Sequence, residues 1–175
     1  QPESRSGGDS SRRDLIKLGT LTAGAAAATL CPATAEAATT GKKIGTTVIQ
    51  YPRQKVASLK ELRRKKYGEF NYPDSNSPCG IMDMGKKVTG GVGPRQSVVA
   101  YSMICSHQGC KLLFNKSAGS LECPCHFSKF DPKLKGQMVI GQATSPIPQV
   151  VLEMEGDNVY AIAMNGLIYG RAMNV

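Results

Sequence analysis

The sequence contains no tryptophan, only two histidines and no run of 18 or more apolar residues. Because a membrane-spanning helix needs about 20 consecutive apolar residues, the chain is not a multi-span membrane protein. The 19 glycines and 10 prolines exclude a long coiled coil, since both residues disfavour helix interiors. The hydrophobic fraction of 41% and the charged fraction of 20% are ordinary for a globular protein, and 175 residues give room for one domain with a tail.

The first 37 residues have the order of an export signal. Arg12 and Arg13 are followed by an alanine-rich, mildly apolar run over residues 18–30 and then by small residues. This order is typical of secretory signals, and the arginine pair indicates the twin-arginine route. We expect residues 1–37 to be a cleaved signal and the protein to be periplasmic, with no membrane span after cleavage. The alternatives are a retained signal that anchors the chain, or a basic surface helix with an alanine-rich extension.

The formal net charge of +9 lies outside this segment. Residues 1–37 carry four basic and four acidic side chains, so residues 38–175 keep the full positive charge. Nucleic acid is a poor partner for an exported protein, and we expect none. The basic run over residues 60–66 (K-E-L-R-R-K-K) is interpreted either as a solvated face or as a docking surface for an acidic partner.

Alternating and β-branched runs predict that the rest of the chain is all-β. Gly156 and Asp157 separate two such runs and indicate a hairpin. Many short strands with turn residues between them are typical of an antiparallel sandwich or barrel. One short helix is expected near residues 59–64. Strands are predicted over residues 46–51, 97–102, 150–155 and 158–164, with shorter candidates at 69–72, 80–84, 121–123 and 137–140.

Two short boxes contain both histidines and four of the six cysteines. Residues 105–110 read C-S-H-Q-G-C, and residues 123–128 read C-P-C-H-F-S. Written as ligands, the pattern is C-x-H followed by C-x-x-H, so each box offers one cysteine and one histidine. Such a set suits either tetrahedral zinc or a [2Fe–2S] cluster with mixed ligation. A zinc finger normally takes both histidines from one helix, and no helical period surrounds either histidine here. The pattern therefore favours a cluster, with zinc and a plain disulfide framework as alternatives.

The boxes resemble those of Rieske iron–sulfur proteins, which read C-T-H-x-G-C and C-P-C-H-G-S in respiratory members. The resemblance implies that one iron is bound by two thiolates and the other by two imidazoles. It also implies a disulfide between the remaining two cysteines of the boxes, which an oxidising compartment would preserve. The implied ligands are Cys105, Cys123, His107 and His126, and the implied disulfide joins Cys110 to Cys125.

The resemblance further implies a β-sandwich base with a smaller cluster-binding subdomain. We expect the Rieske domain over residues 38–175 and the subdomain over about 103–145. Respiratory members carry Gly-Ser-x-Tyr after the second histidine, whereas here Phe127 replaces the glycine, Ser128 is kept and Phe130 replaces the tyrosine. A hydroxyl that donates to a cluster sulfur stabilises the more negative, reduced state. The resemblance therefore implies that Ser128 raises the reduction potential and that Phe130 adds no such donor.

Further motifs are similar to those of the small subunits of arsenite oxidases. They are Gly90–Pro94, the F-S-x-F-D run that starts at Phe127, Gly141–Thr144 and Gly166–Arg171. This resemblance implies an electron-transfer subunit with no catalytic residue of its own. It implies a large partner subunit that holds a molybdenum–pterin centre, and a cytochrome c or blue-copper protein as electron acceptor.

Two other functions stay open from the sequence alone. One is the Rieske subunit of a quinol-oxidising respiratory complex, and the other is a structural zinc module in an exported binding protein. The two cysteines outside the boxes do not separate them. We expect Cys79 to be a buried or unreactive thiol and Cys31 to leave with the signal.

Overall fold

The computed structural model describes residues 50–175, and two antiparallel sheets account for most of them. The predicted export signal lies outside the described residues. The strands are β1 (Gln54–Ser58), β2 (Tyr67–Asn71), β3 (Pro78–Asp83), β4 (Val98–Ser102), β5 (Leu113–Asn115), β6 (Ser120–Glu122), β7 (Lys129–Asp131), β8 (Gln137–Ile140), β9 (Gln149–Glu155) and β10 (Asn158–Asn165). An α-helix, α1 (Leu59–Lys65), follows β1, and a 3₁₀ turn over Pro132–Leu134 follows β7.

The larger sheet, which we call the base sheet, has the strand order β1-β10-β9-β4-β3-β2. Its strand β4, with the run V-V-A-Y-S, is buried at all five residues and pairs with β3 and β9. Strands β9 and β10 form a hairpin whose turn contains Gly156 at φ +57, a conformation that glycine adopts without strain. Helix α1 packs Leu59 and Leu62 onto this sheet, and the Ser58 hydroxyl caps the helix by accepting a bond from the Glu61 N–H.

The smaller sheet, which we call the small sheet, has the order β5-β6-β7-β8 and strands of only three or four residues. A second core cluster lies under it and joins it to the base sheet. Tyr101 on β4 makes one direct link, because its buried hydroxyl donates to the carbonyl of Pro132 at 2.8 Å. The two boxes lie beside this cluster: residues 105–110 follow β4, and residues 123–128 connect β6 to β7.

The structure confirms the all-β, antiparallel fold class. All seven predicted strand segments beyond residue 60 match an observed strand to within two residues at each end, and the helix near 59–64 and the hairpin at 156–157 are present. The prediction for residues 46–51 was wrong at 50 and 51, which lie in no strand, and the rest of it is outside the described residues. Strands β1, β5 and β7 were not predicted.

The small sheet and both boxes fall within residues 103–145, the range predicted for the cluster-binding subdomain. The domain boundaries themselves stay predictions. No helix among residues 50–175 is long and apolar enough to cross a membrane.

Asp83 is a buried carboxylate at the end of β3, where the base sheet meets the loop before β4. Its oxygens accept hydrogen bonds from the Ser97 hydroxyl at 2.6 Å, the Gly85 N–H at 2.9 Å and Arg95 Nη2 at 2.9 Å. Burial by itself would raise the pKa of Asp83, but these bonds and the charges of Arg95 and Lys66 lower it below its ordinary value. The ionised form therefore stabilises this corner of the fold.

We predict that Asp83→Asn lowers the free energy of unfolding at pH 7 by about 1.5–3 kcal/mol, the worth of hydrogen bonds to a charged group. Because the folded pKa is depressed, the stabilisation is present above the ordinary aspartate pKa and is lost as the pH falls through the folded pKa. In urea denaturation, the difference in free energy of unfolding between wild type and variant should therefore become smaller as the pH is lowered. Glu155→Gln, which removes an exposed partner of Arg53, is the control and should change the stability far less, because solvent screens exposed ion pairs. Equal stability of Asp83→Asn and wild type at pH 7 would contradict this account.

Candidate metal centre

The two boxes form loops with the same backbone closure. In the first, the Cys105 N–H donates to the Cys110 carbonyl at 2.8 Å, and the Gly109 N–H donates to the Cys105 carbonyl at 2.9 Å. In the second, the Cys123 N–H donates to the carbonyl of residue 128 at 2.8 Å, and the N–H of residue 127 donates to the Cys123 carbonyl at 3.1 Å. Each loop is thus a six-residue turn that starts at a cysteine and holds its side chains in place by its own main chain.

The fifth residue of each loop has a positive φ. Gly109 lies at +75°, and Phe127, at the matching position of the second loop, lies at +59°. Glycine adopts this conformation freely, whereas a bulky side chain is strained there. The glycine that respiratory Rieske proteins carry at the second position therefore has a backbone reason, and Phe127 departs from it. The Phe127 ring is 74% exposed.

The thiols of Cys105 and Cys123 form the buried end of the site. Their residues are 0% and 2% exposed, and neither takes part in a disulfide. Burial raises the pKa of Cys105, and the neighbouring Cys123 thiol raises it further, while the backbone N–H groups of His107 and Gln108 act in the opposite direction. Two thiolates at this depth require a compensating cation, since burial and like charge both oppose their ionisation.

The two imidazoles form the outer end. The rings of His107 and His126 meet edge to face with their centroids 4.8 Å apart, although 19 residues separate them in the chain. His126 is exposed, and His107 is partly buried. The Nδ1 atom of His107 is buried and has no hydrogen-bond partner among the described residues. A buried ring nitrogen without a partner costs free energy, and a bound metal ion removes that cost.

Cys110 and Cys125 form a disulfide that joins the two loops, as the resemblance implied. They are 15 residues apart, and closing a loop of that length stabilises a fold by about 3 kcal/mol in the chain-entropy model. The sulfur atoms of Cys110, Cys123 and Cys125 lie within 4.8 Å of one another. Since two of these three are bonded to each other, only Cys123 is free to bind a metal, and the disulfide packs directly against it.

Residues 141–146, which we call the cover segment, are bonded to both loops. The Ser128 hydroxyl is fully buried and accepts hydrogen bonds from the N–H groups of Gln142 and Ala143 at 3.0 and 3.1 Å. The Ser106 hydroxyl donates to the Ser145 carbonyl at 2.6 Å. A Cβ atom on Gly141 would lie 2.4 Å from Ser128 Cα, so only glycine allows this approach. In both bonds the Ser128 hydroxyl oxygen is the acceptor. The hydroxyl proton can therefore still donate a hydrogen bond to a group in the site.

Two aromatic rings complete the surroundings. Phe130 is fully buried in the same apolar cluster as Cys105 and Cys123. Tyr169 lies against the first loop, because a Cβ on Gly109 would meet its ring at 3.0 Å. Tyr169 belongs to a C-terminal segment in which the buried Asn174 side chain bonds to Gly166 and Ile168. The contact between Tyr169 and Gly109 was not predicted, although Tyr169 lies in the Gly166–Arg171 motif noted in the sequence.

The donor set fits the predicted [2Fe–2S] group. Two thiols lie side by side at the buried end, two imidazoles lie side by side at the outer end, and one imidazole nitrogen is buried without a partner. We infer that Cys105 and Cys123 bind one iron and that His107 and His126 bind the other. Cys79 is apart from this set: its thiol donates to the Tyr72 carbonyl at 3.4 Å, and burial raises its pKa to about 12. It is buried, as expected.

Comparison with known proteins agrees with this geometry. The family model described as the Rieske [2Fe-2S] domain matches residues 54–151. The iodate reductase subunit IdrB of Denitromonas iodatirespirans is 37% identical over 159 residues, which cover 88% of this chain and 83% of that subunit. The iodate reductase subunit IdrB of Pseudomonas sp. (strain SCT) is 36% identical over 123 residues, which cover 69% of this chain and 64% of that subunit.

Solved structures agree on the fold. The soluble domain of the Rieske protein II (soxF) from Sulfolobus acidocaldarius matches with a TM-score of 0.63 at 24% identity, over 70% of this chain and 83% of that one. At 24% identity this match shows the fold and carries no information on substrates or partners.

We predict that His126→Ala abolishes the electron paramagnetic resonance spectrum of the reduced cluster, because one iron loses half of its protein ligands. The measurement is the spectrum of the dithionite-reduced protein together with its iron content. Phe127→Gly is the matched control, since it changes the adjacent residue to the one that suits φ +59 and should keep the spectrum. A normal spectrum in His126→Ala would remove this histidine from the ligand set.

We also predict opposite shifts of the reduction potential at the two positions behind the cluster. Ser128→Ala removes a hydroxyl that can donate to the site and should lower the potential, whereas Phe130→Tyr adds a donor and should raise it. Protein-film voltammetry measures both. Ser106→Ala is the control, because that hydroxyl already donates to the Ser145 carbonyl, and its loss should leave the potential unchanged. The account fails if Phe130→Tyr leaves the potential unchanged while its hydroxyl lies within hydrogen-bond reach of a ligand sulfur.

Proposed function

The chain belongs to the Rieske [2Fe-2S] domain family, and from this we propose that it is the electron-transfer subunit of an exported oxidoreductase complex. The observation that carries the proposal is the set of four donors, two buried thiols and two outer imidazoles, on loops joined by a disulfide. A [2Fe–2S] cluster held by such a set exchanges one electron at a time at a potential above that of all-cysteine clusters. Substrate chemistry is assigned to a partner subunit.

The residues of this chain bind, orient and shield the group. Cys105 and Cys123 would hold it at the buried end, where the core excludes water, and His107 and His126 would hold it at the outer end. The cover segment closes the site from the side through its bonds to Ser128. Neutral imidazoles in place of two thiolates reduce the negative charge that opposes reduction.

The partner is proposed to be a larger catalytic subunit with a molybdenum–pterin centre. The relatives that match 88% and 69% of this chain are themselves named as subunits of iodate reductase, which supports a role within a complex. The electron carrier at the other end is proposed to be a cytochrome c or a blue-copper protein. A periplasmic location is supported by the Arg12–Arg13 motif and by the disulfide, which persists in oxidising compartments.

Two substrates follow from two observations. The motifs in Gly90–Pro94, Gly141–Thr144 and Gly166–Arg171 support arsenite oxidation, in which electrons leave the catalytic subunit through this chain. The iodate reductase relatives support iodate reduction, in which electrons pass through this chain toward the catalytic subunit. The two candidates therefore differ in the direction of electron flow, and a single preparation distinguishes them.

The test uses the purified complex of this chain with its catalytic subunit and the paramagnetic signal of the reduced cluster. If arsenite is the substrate, adding arsenite to the oxidised complex makes the signal appear within one turnover. If iodate is the substrate, adding iodate to the dithionite-reduced complex, freed of excess dithionite, removes the signal equally fast. The same complex with His126→Ala is the control and should show neither change. A complex whose signal responds to neither oxyanion would rule out both substrates.

A further inference from the structure

A groove lined by lysines separates the base sheet from the small sheet. Its volume is about 330 Å³, and we call it the lysine groove. Lys65 and Lys66 enter it from the end of helix α1, Lys116 from the β5–β6 hairpin and Lys133 from the 3₁₀ turn. Lys133 Nζ lies over Gly119 on the hairpin, 3.6 Å from the position that a Cβ would take there. Four lysines and one carboxylate, that of Asp83, thus line one depression.

The charge of the groove is only partly neutralised within residues 50–175: Lys65 is paired with Glu61 at 3.2 Å, and Asp83 lies in the groove wall. Lys116 and Lys133 have no carboxylate oxygen within 4.0 Å there, and Lys66 lies 3.8 Å from Asp83, which is already bonded to Arg95 at 2.9 Å. Every one of the nine acidic side chains in this range is engaged. Asp131 and Asp157 accept backbone N–H bonds. The other seven are paired with basic side chains: Glu61, Glu69, Asp74, Asp83, Glu122, Glu153 and Glu155. The nine acidic and sixteen basic side chains of this range leave it strongly positive.

The groove is adjacent to the metal centre. Phe114 lies in its wall and also in the wall of a hollow formed with Cys123 and Phe127. Gly119, in the groove, precedes Cys123 by four residues along strand β6, which spans about 13 Å at 3.3 Å per residue. A protein seated over the groove therefore lies close to a cluster ligand.

We propose that the lysine groove docks the acidic face of a small one-electron carrier protein. The proposal rests on the electron-transfer function proposed above and names the surface that the carrier uses. Complementary charge is the reason: a concentrated positive field attracts an acidic face and orients it during encounter. The groove places that face beside Phe114 and the loop of Cys123. The step would move one electron between the carrier and the bound cluster, so that one is oxidised as the other is reduced, and no covalent bond forms or breaks.

The test measures binding and electron exchange separately. Binding of an acidic c-type cytochrome to the purified complex is measured by calorimetry with both proteins oxidised, so that no electron moves. Electron exchange with the reduced complex is then followed by stopped flow at about 20 mM and about 300 mM salt, where charge screening differs strongly. A basic c-type cytochrome of similar size is the second probe.

The variants carry equal changes of net charge. Lys116→Glu with Lys133→Glu reverses two charges in the groove, and Lys55→Glu with Lys60→Glu reverses two charges outside it. At low salt we expect the groove variant to bind the acidic cytochrome, and to exchange electrons with it, at least about tenfold more weakly. The control variant should lose no more than about threefold, and the difference should shrink at high salt. The basic cytochrome should gain from the groove variant.

Equal losses in both variants would overturn the proposal, because net charge alone would then explain them. Release of the catalytic subunit by the groove variant would also overturn it, since that subunit would be the occupant. Failure of the proposed function gives a different result: the wild-type complex binds the acidic cytochrome and loses this binding in the groove variant, but no electron is exchanged with either cytochrome.

Discussion

Two thiols that lie side by side beneath the surface impose the condition on which the rest of the site depends. Cys105 and Cys123 are almost completely buried, and burial together with mutual proximity opposes the ionisation that metal binding requires. Backbone N–H groups of the first loop supply part of the compensation, and a bound cation must supply the rest. The loops therefore have to hold the thiols together in advance, and the shared backbone closure, the disulfide and the bonds from the cover segment all serve that end.

The same arrangement gives the site a direction. The thiols point into the apolar cluster that contains Phe130 and Leu121, while the imidazoles lie toward solvent. Burial thereby keeps water from the two thiols, whereas His126 at the other end is exposed. Tyr101 fixes the small sheet to the base sheet through its bond to Pro132, so the direction of the site relative to the base sheet is set by a buried contact. Electron transfer at a defined face follows from packing as much as from ligand chemistry.

The sequence predicted the fold class, seven of the ten strands, the helix and the disulfide, and its ligand set stays a proposal. The two boxes stood out because their residue types are rare in the chain, and their resemblance to Rieske proteins implied the four proposed ligands and the Cys110–Cys125 disulfide that the structure contains. Strands β5 and β7 escaped prediction, because so short a strand carries little alternation and is stabilised by its neighbours in the sheet; of the three strands with three residues only β6 was predicted. The contacts of Gly141 with Ser128 and of Tyr169 with Gly109 join distant segments, and no local pattern encodes them.

Phe127 occupies a loop position whose backbone conformation favours glycine. The sequence shows that Phe127 replaces a glycine, but it does not show the backbone strain that results. That strain comes from the φ of +59°, which the loop closure imposes. Gly109 meets the same requirement in the first loop without strain, yet Tyr169 packs on Gly109, whereas the Phe127 ring is 74% exposed. The two loops are therefore alike in main chain and unlike in surroundings: one is covered by the protein's own C-terminal segment, and the other presents an aromatic ring beside the exposed His126. The asymmetry leaves the second loop as the side of the metal centre that is open to another molecule.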